Sequence, residues 1–224
     1  MDWSLLNSPT HRALSREAAA KSTVLLKNTA EALPLKAGVK TIAVVGPFAA
    51  CSSAVADPAN LGCAGRGGCE AQCYLHSYNG FPTNTTSIYG GIAAAGAKAG
   101  ATVSYSVGSN LTCPQITRSG GAAGDLDCVT DSGSSFYSPA AAAGIAAAVA
   151  AAKIADVTVL AVGLGAIMEA EGNDRVNMTL PSVQRELLKQ VQAVAAKLIL
   201  VVVSAGGVDL DESKAAAVLW APCE

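Results

Sequence analysis

The sequence predicts an α/β fold, a three-layer α/β/α sandwich built around a mostly parallel sheet. Short β-branched runs alternate with helical stretches along the chain. The turns from helix into strand are short, whereas the loops that leave the strands are long. Parallel strands are covered on both faces, so they read as unbroken apolar runs rather than as alternating ones.

Residues 8–28 read as a helix. Ser8 is a natural N-cap, Pro9 suits the first helical position, and apolar residues recur at helical spacing through Leu14, Ala18, Leu25 and Leu26. Residues 40–46 then form a first strand, ended by Gly46-Pro47. Further strands fit 101–107, 156–163, 198–204 and 216–220, with helices at 87–99, 139–153 and 181–196. The alanine runs at 140–143 and 146–152 are compositional bias within a helix, not a repeat.

Composition bounds the function. Of 224 residues, 51% are hydrophobic, 14% charged and only 4% aromatic, so a sizeable core of Val, Leu, Ile and Ala is available. The net charge is −2 and no cationic stripe occurs, which argues against nucleic acid as a partner. No apolar run is long enough to span a membrane, and the start of the chain shows neither the basic nor the apolar region of a signal peptide.

Seven cysteines, four of them between 51 and 73, favour disulfides over a metal site. Cys69 and Cys73 have a spacing that could suit zinc, but no second pair or histidine set completes the ligands. Sequons at Asn84, Asn110 and Asn177 join the cysteines in pointing to a secreted or cell-wall protein.

In an open α/β sheet ligands bind beyond the carboxyl ends of the strands. The long excursions at 47–86, 108–138 and 164–180 all leave that edge. Dinucleotide binding is disfavoured there: Pro47 removes a phosphate-binding N–H, and Gly163-Leu164-Gly165 lacks the third glycine of the fingerprint. No other cofactor is implied. The loop after the 156–163 strand carries Glu169, Glu171, Asp174 and Arg175, a cluster suited to acid–base work on a sugar. Asp174 and Arg175 read equally well as a brace for the loop, and the glutamates could be a solvated face. Gly172 would allow a close backbone approach.

Glu171-Gly172-Asn173-Asp174-Arg175, followed by Leu180-Pro181-x-x-Gln184, resembles the E-G-x-D-R…L-P-x-x-Q segment of family 3 glycoside hydrolases. Glu17-Ala18-Ala19, Val24-Leu25-Leu26-Lys27-Asn28 and Leu33-Pro34-Leu35 are similar to the lead-in of that family's second domain. So are the 42–47 strand, Ser204-Ala205-Gly206-Gly207-Val208-Asp209 and Trp220. The order and spacing span nearly the whole chain and look most like the β-xylosidase branch. The departures are Ser109 where that branch has a cysteine after glycine, and richer insertions at 51–73 and 112–138.

The resemblance implies a retaining, exo-acting β-glycosidase whose sugar-cleaving site is shared between two domains. A (β/α)₈ barrel carries the aspartate nucleophile; this chain would supply the general acid/base glutamate, Glu171 by motif position, with Glu169 in reserve. A barrel alone takes about 250 residues, more than this chain could hold beside a sandwich. Residues 1–38 would then be a linker and lead-in helix from a barrel not in this chain, and 39–224 a sandwich cut short at its C-terminus. The expected substrate is a β-linked oligosaccharide or aryl glycoside, the expected partner is the barrel, and the isolated piece should be inactive. The alternative is a non-catalytic carbohydrate-binding or interaction module derived from such an enzyme.

Overall fold

A computed structural model describes residues 8–50, 86–109, 139–164, 175, 177–211 and 214–222. Six strands form a single sheet: β1 (Val24–Asn28), β2 (Thr41–Val45), β3 (Thr102–Ser106), β4 (Val157–Gly163), β5 (Leu198–Ser204) and β6 (Ala217–Pro222). Their spatial order is β1-β6-β5-β4-β2-β3, with every neighbouring pair parallel except β1 and β6. The helices are α1 (Pro9–Ser22), α2 (Ile88–Ala99), α3 (Pro139–Ile154) and α4 (Ser182–Val194). This is the α/β sandwich expected from the strand–helix alternation.

Successive strand side chains point to opposite faces, and this sorts the core into two layers. Ala43, Val45, Leu160, Val162, Leu200 and Val202 face α3 and α4. Ile42, Val44, Val159, Ala161, Ile199 and Val201 face α2 and the segments that follow β1 and β2. Every residue of β4 and β5 is buried, which explains their unbroken apolar sequence. On α3, Ile145, Ala148 and Ala152 form a buried stripe at helical spacing. On α4, Val183, Gln184, Leu187, Leu188 and Val191 do the same. Truncating a fully buried leucine of this layer, such as Leu187, would cost about 2–5 kcal/mol.

The helix predicted over 8–28 is corrected by the structure. It stops at Ser22, where the hydroxyls of Ser22 and Thr23 both donate to the Ala19 carbonyl and leave Thr23 extended. Val24–Asn28 instead forms an antiparallel edge strand, with Val24 opposite Trp220 and Asn28 opposite Ala217. Helix α1 itself buries none of its residues among those described.

Local chemistry fixes the remaining joints. Ser87 caps α2 by accepting from the Gly90 N–H at 2.9 Å, and Gly100 ends it in the left-handed region at φ 72°. Asp156 ties the starts of β4 and β2 together. Its carboxylate accepts from the N–H groups of Lys40 and Thr41 at 2.8 and 2.9 Å, while its own N–H donates to the Thr41 hydroxyl.

Candidate functional site

Connection order locates the site before any side chain is considered. From β2 the chain crosses to β3 on one side, then returns past β2 to β4 and proceeds to β5 and β6 on the other. The reversal falls between β2 and β4, and in such sheets the crevice at the carboxyl ends of the two diverging strands is where ligands bind. The loops leaving those ends are the ones that follow Val45 and Gly163.

Both exits are tightly built. Gly46 has φ 110°, and a Cβ there would stand 2.1 Å from the Ala161 carbonyl oxygen, so only glycine lets β2 turn away from β4 at this point. Phe48 and Ala49 tuck under the sheet, and the Phe48 N–H donates to Ala161 O at 3.3 Å. Pairing between β2 and β4 ends at Val45 and Leu160, whereas β4 continues alongside β5 as far as Gly163.

Gln184, fully buried on α4, takes over beyond that point. Its Oε1 accepts from the Gly163 N–H at 2.8 Å and its Nε2 donates to the Gly163 carbonyl at 2.9 Å. A carboxamide presents the same donor and acceptor pair as a peptide unit, so Gln184 acts as a one-residue extension of the ladder. The next residue, Leu164, donates its N–H to Val203 O at 2.8 Å. The root of the loop that carries the candidate glutamates is therefore held from both sides.

Its return is held as well. Arg175 Nη2 donates to the Gly207 carbonyl at 2.9 Å. The Asp209 N–H donates to Met178 O at 2.7 Å, and Thr179 and Asp209 form a parallel bridge. Asn177 closes a local turn by accepting from the Thr179 N–H at 2.8 Å. On the β5 side, the Ser204 hydroxyl donates to Gly206 O at 2.8 Å, and Trp220 Nε1 donates to Ser204 at 3.1 Å. Two sequence motifs far apart in the chain, around Arg175 and around Gly206-Gly207, thus meet at the carboxyl edge of β4 and β5.

Of the residues singled out from sequence, Arg175 is described, and its side chain is bonded to Gly207. Glu169, Glu171 and Asp174 lie outside the described residues, as do all seven cysteines and the sequons at Asn84 and Asn110. Gln184 was visible only as the last letter of the L-P-x-x-Q motif; nothing in its helical spacing marked it as a clamp. Among the described residues, no group of three or more His, Cys, Asp or Glu side chains could hold a metal, and no helix is long and apolar enough to cross a membrane.

The sequence profile of the Glycosyl hydrolase family 3 C-terminal domain matches residues 23–224. The chain belongs to glycoside hydrolase family 3. Its match begins at Thr23, where α1 has ended and β1 starts. The chain is 31% identical over 216 residues to a β-xylosidase/α-L-arabinofuranosidase of Medicago sativa subsp. varia, covering 94% of this chain and 21% of that protein. Among solved structures it is similar to a family 3 β-glucosidase of Bifidobacterium adolescentis (28% identity, TM-score 0.67, 99% of this chain and 26% of that one). It is also similar to an exo-β-xylosidase solved with a xylobiose aziridine probe (26% identity, TM-score 0.65, 95% and 22%). The chain thus spans about a fifth to a quarter of the length of these relatives. It is a family 3 C-terminal domain homologous to β-xylosidases and β-glucosidases.

Proposed function

We propose that this chain is the acid/base half of a retaining, exo-acting β-glycosidase, completed by a (β/α)₈ barrel that carries the aspartate nucleophile. Glu171 donates a proton to the glycosidic oxygen as the bond breaks, then removes one from the water that releases the sugar from the nucleophile. Retention requires the two carboxyl groups to stand only about 5–5.5 Å apart across the domain boundary. Glu169 is the reserve for this role. Asp174 and Arg175 support the loop; the Arg175 bond to Gly207 is in keeping with that. The substrate is the terminal β-linked sugar of an oligosaccharide, or an aryl glycoside.

The observation that carries this reading is that the chain is held on both sides of residues 165–174, by Gln184 on Gly163 beside the switch point and by Arg175 on Gly207 beyond β5. A general acid must be held in one place relative to a nucleophile on another domain, and rigid roots meet that need. The lead-in supports a docked barrel. Leu14 on α1 and Val24, Leu25 and Leu26 on β1 are all exposed apolar side chains, Leu14 and Leu26 at 62% each. Residues 1–38 lead in from the barrel and, through Val24–Asn28, add the edge strand to the sandwich of 39–224. The cysteines form disulfides and the sequons carry glycans in a secreted or cell-wall enzyme.

The size of the native protein tests this. An antibody to the domain should detect a band far above 22.3 kDa that copurifies with β-glycosidase activity, and the 224-residue chain alone should turn over no aryl β-xyloside. A native band at the mass of this chain, together with sugar binding but no hydrolysis, would replace the enzyme with a binding module.

A further inference from the structure

At the opposite edge of the sheet, where β5 and β6 begin and the antiparallel β1 ends, lies a second concavity of about 460 Å³. Strand β5 is seven residues long, so this cavity is roughly 20 Å from the loop roots described above. Three lysines line it, each from a different segment: Lys27 from β1, Lys197 from the turn between α4 and β5, and Lys214 from the run into β6. The rest of the wall is Thr29, Leu198 and alanines, with no acidic residue among the described ones that line it. Among the described residues neither Lys197 nor Lys214 makes an ion pair.

The floor of the cavity is held in a fixed shape. Ala30, which lines it, and its neighbour Glu31 both adopt φ near 50°, a left-handed conformation that non-glycine residues avoid. Two bonds of the Asn28 side chain keep them there: Nδ2 donates to Leu33 O and Oδ1 accepts from the Leu33 N–H, each at 2.9 Å. Thr29 is tied to the β6 side by its N–H on Ala216 O at 2.8 Å. Backbone strain retained by its surroundings is a feature of binding sites. Like charges brought around one concavity raise its positive potential and draw in an anion.

We infer that this cavity binds a small anionic ligand, sugar-sized and bearing a carboxylate or a phosphate, at a site separate from the glycosidase centre. The volume is that of a small-molecule pocket rather than of a bare-ion site, and the lysines supply point charges that accept either oxyanion. The inference does not rest on the proposed catalytic role, since no residue is shared.

The test is a titration of the full 224-residue chain, followed by backbone amide NMR, with three probes: inorganic phosphate, galacturonate and neutral galactose. Saturable shifts at residues 29–32 and 214–216 with phosphate or galacturonate, and none with galactose, are expected. Whichever of the two anions binds more tightly identifies the source of the oxyanion. Lys214→Gln, at an exposed position, should weaken binding at least tenfold, and Lys197→Gln should do likewise. Failure of both anions to give saturable shifts overturns the inference. So does an affinity unchanged in the two variants. Lys197 also follows the C-terminus of α4, where a cation is favoured by the helix dipole. A Lys197→Gln variant that loses stability equally with and without anion would assign Lys197 to that helix end and take it out of the site.

Discussion

Gln184 and Gly163 are joined by two hydrogen bonds of 2.8 and 2.9 Å, side chain to backbone, at the point where β4 has outrun its neighbour β2. Both partners are buried, so neither can turn to water if the other is lost. Gln184→Leu should therefore leave a buried N–H and a buried carbonyl without partners, at about 1–3 kcal/mol each. Urea unfolding should show a loss of a few kcal/mol, and the Gly163 amide should lose its protection from hydrogen exchange. Gln184→Glu keeps the acceptor and loses the donor, so it should restore slow exchange at the Gly163 amide only in part.

Steric closeness at the same residue gives a second prediction. A Cβ on Gly163 would lie 1.9 Å from the Val203 carbonyl oxygen, and backbone cannot move aside as a flexible side chain can. Gly163→Ala should lower the unfolding free energy by several times the ordinary helix-propensity scale of about 1 kcal/mol. Gly91→Ala is the contrasting case: it lies on the exposed face of α2, and its Cβ would meet only Thr86 Cγ2 at 3.8 Å. It should stabilise the protein by about 0.5–1 kcal/mol. Thermal melts of the two variants would separate close packing from propensity.

Acid should loosen the joint between β2 and β4. Backbone hydrogen bonds from Lys40 and then Thr41 hold the Asp156 carboxyl below its ordinary value of 3.8. A depressed folded-state pKa contributes stability that is present above the unfolded pKa and is lost as pH falls through the folded one. Asp156→Asn should thus be less stable than the native chain at pH 7. The gap between them should shrink below about pH 4, as the native carboxylate is protonated. Urea midpoints at several pH values measure this gap, and a gap constant across the acid range would contradict the assignment.

The sheet was legible wherever a strand was buried on both faces. The run Leu198-Ile199-Leu200-Val201-Val202-Val203-Ser204 has no other reading, and β5 occupies those residues. Edge strand β1 was not legible. Leu25 and Leu26 fit the helical spacing begun at Leu14, and the partner that makes 24–28 a strand is Trp220 and its neighbours at the far end of the chain. Long-range pairing of this kind leaves no local signal. That the long loops leave the carboxyl edge of the sheet was legible in the sequence, and the switch between β2 and β4 opens at that same edge. Gln184 was not, because a glutamine on an amphipathic helix is ordinarily exposed; it is buried here only because β2 stops short of Gly163.

The most direct test of the proposed chemistry is Glu171→Gln in the barrel-bearing protein, assayed on a xylose disaccharide and on a dinitrophenyl β-xyloside. A sugar is a poor leaving group and needs the proton, whereas dinitrophenolate leaves without it. For the disaccharide, kcat/KM should fall about 10²–10⁴-fold, while cleavage of the aryl bond should remain fast and release of the bound sugar become slow. Turnover of the disaccharide at the native rate would contradict the assignment of Glu171, and that same leaving-group signature in Glu169→Gln would move the role to Glu169.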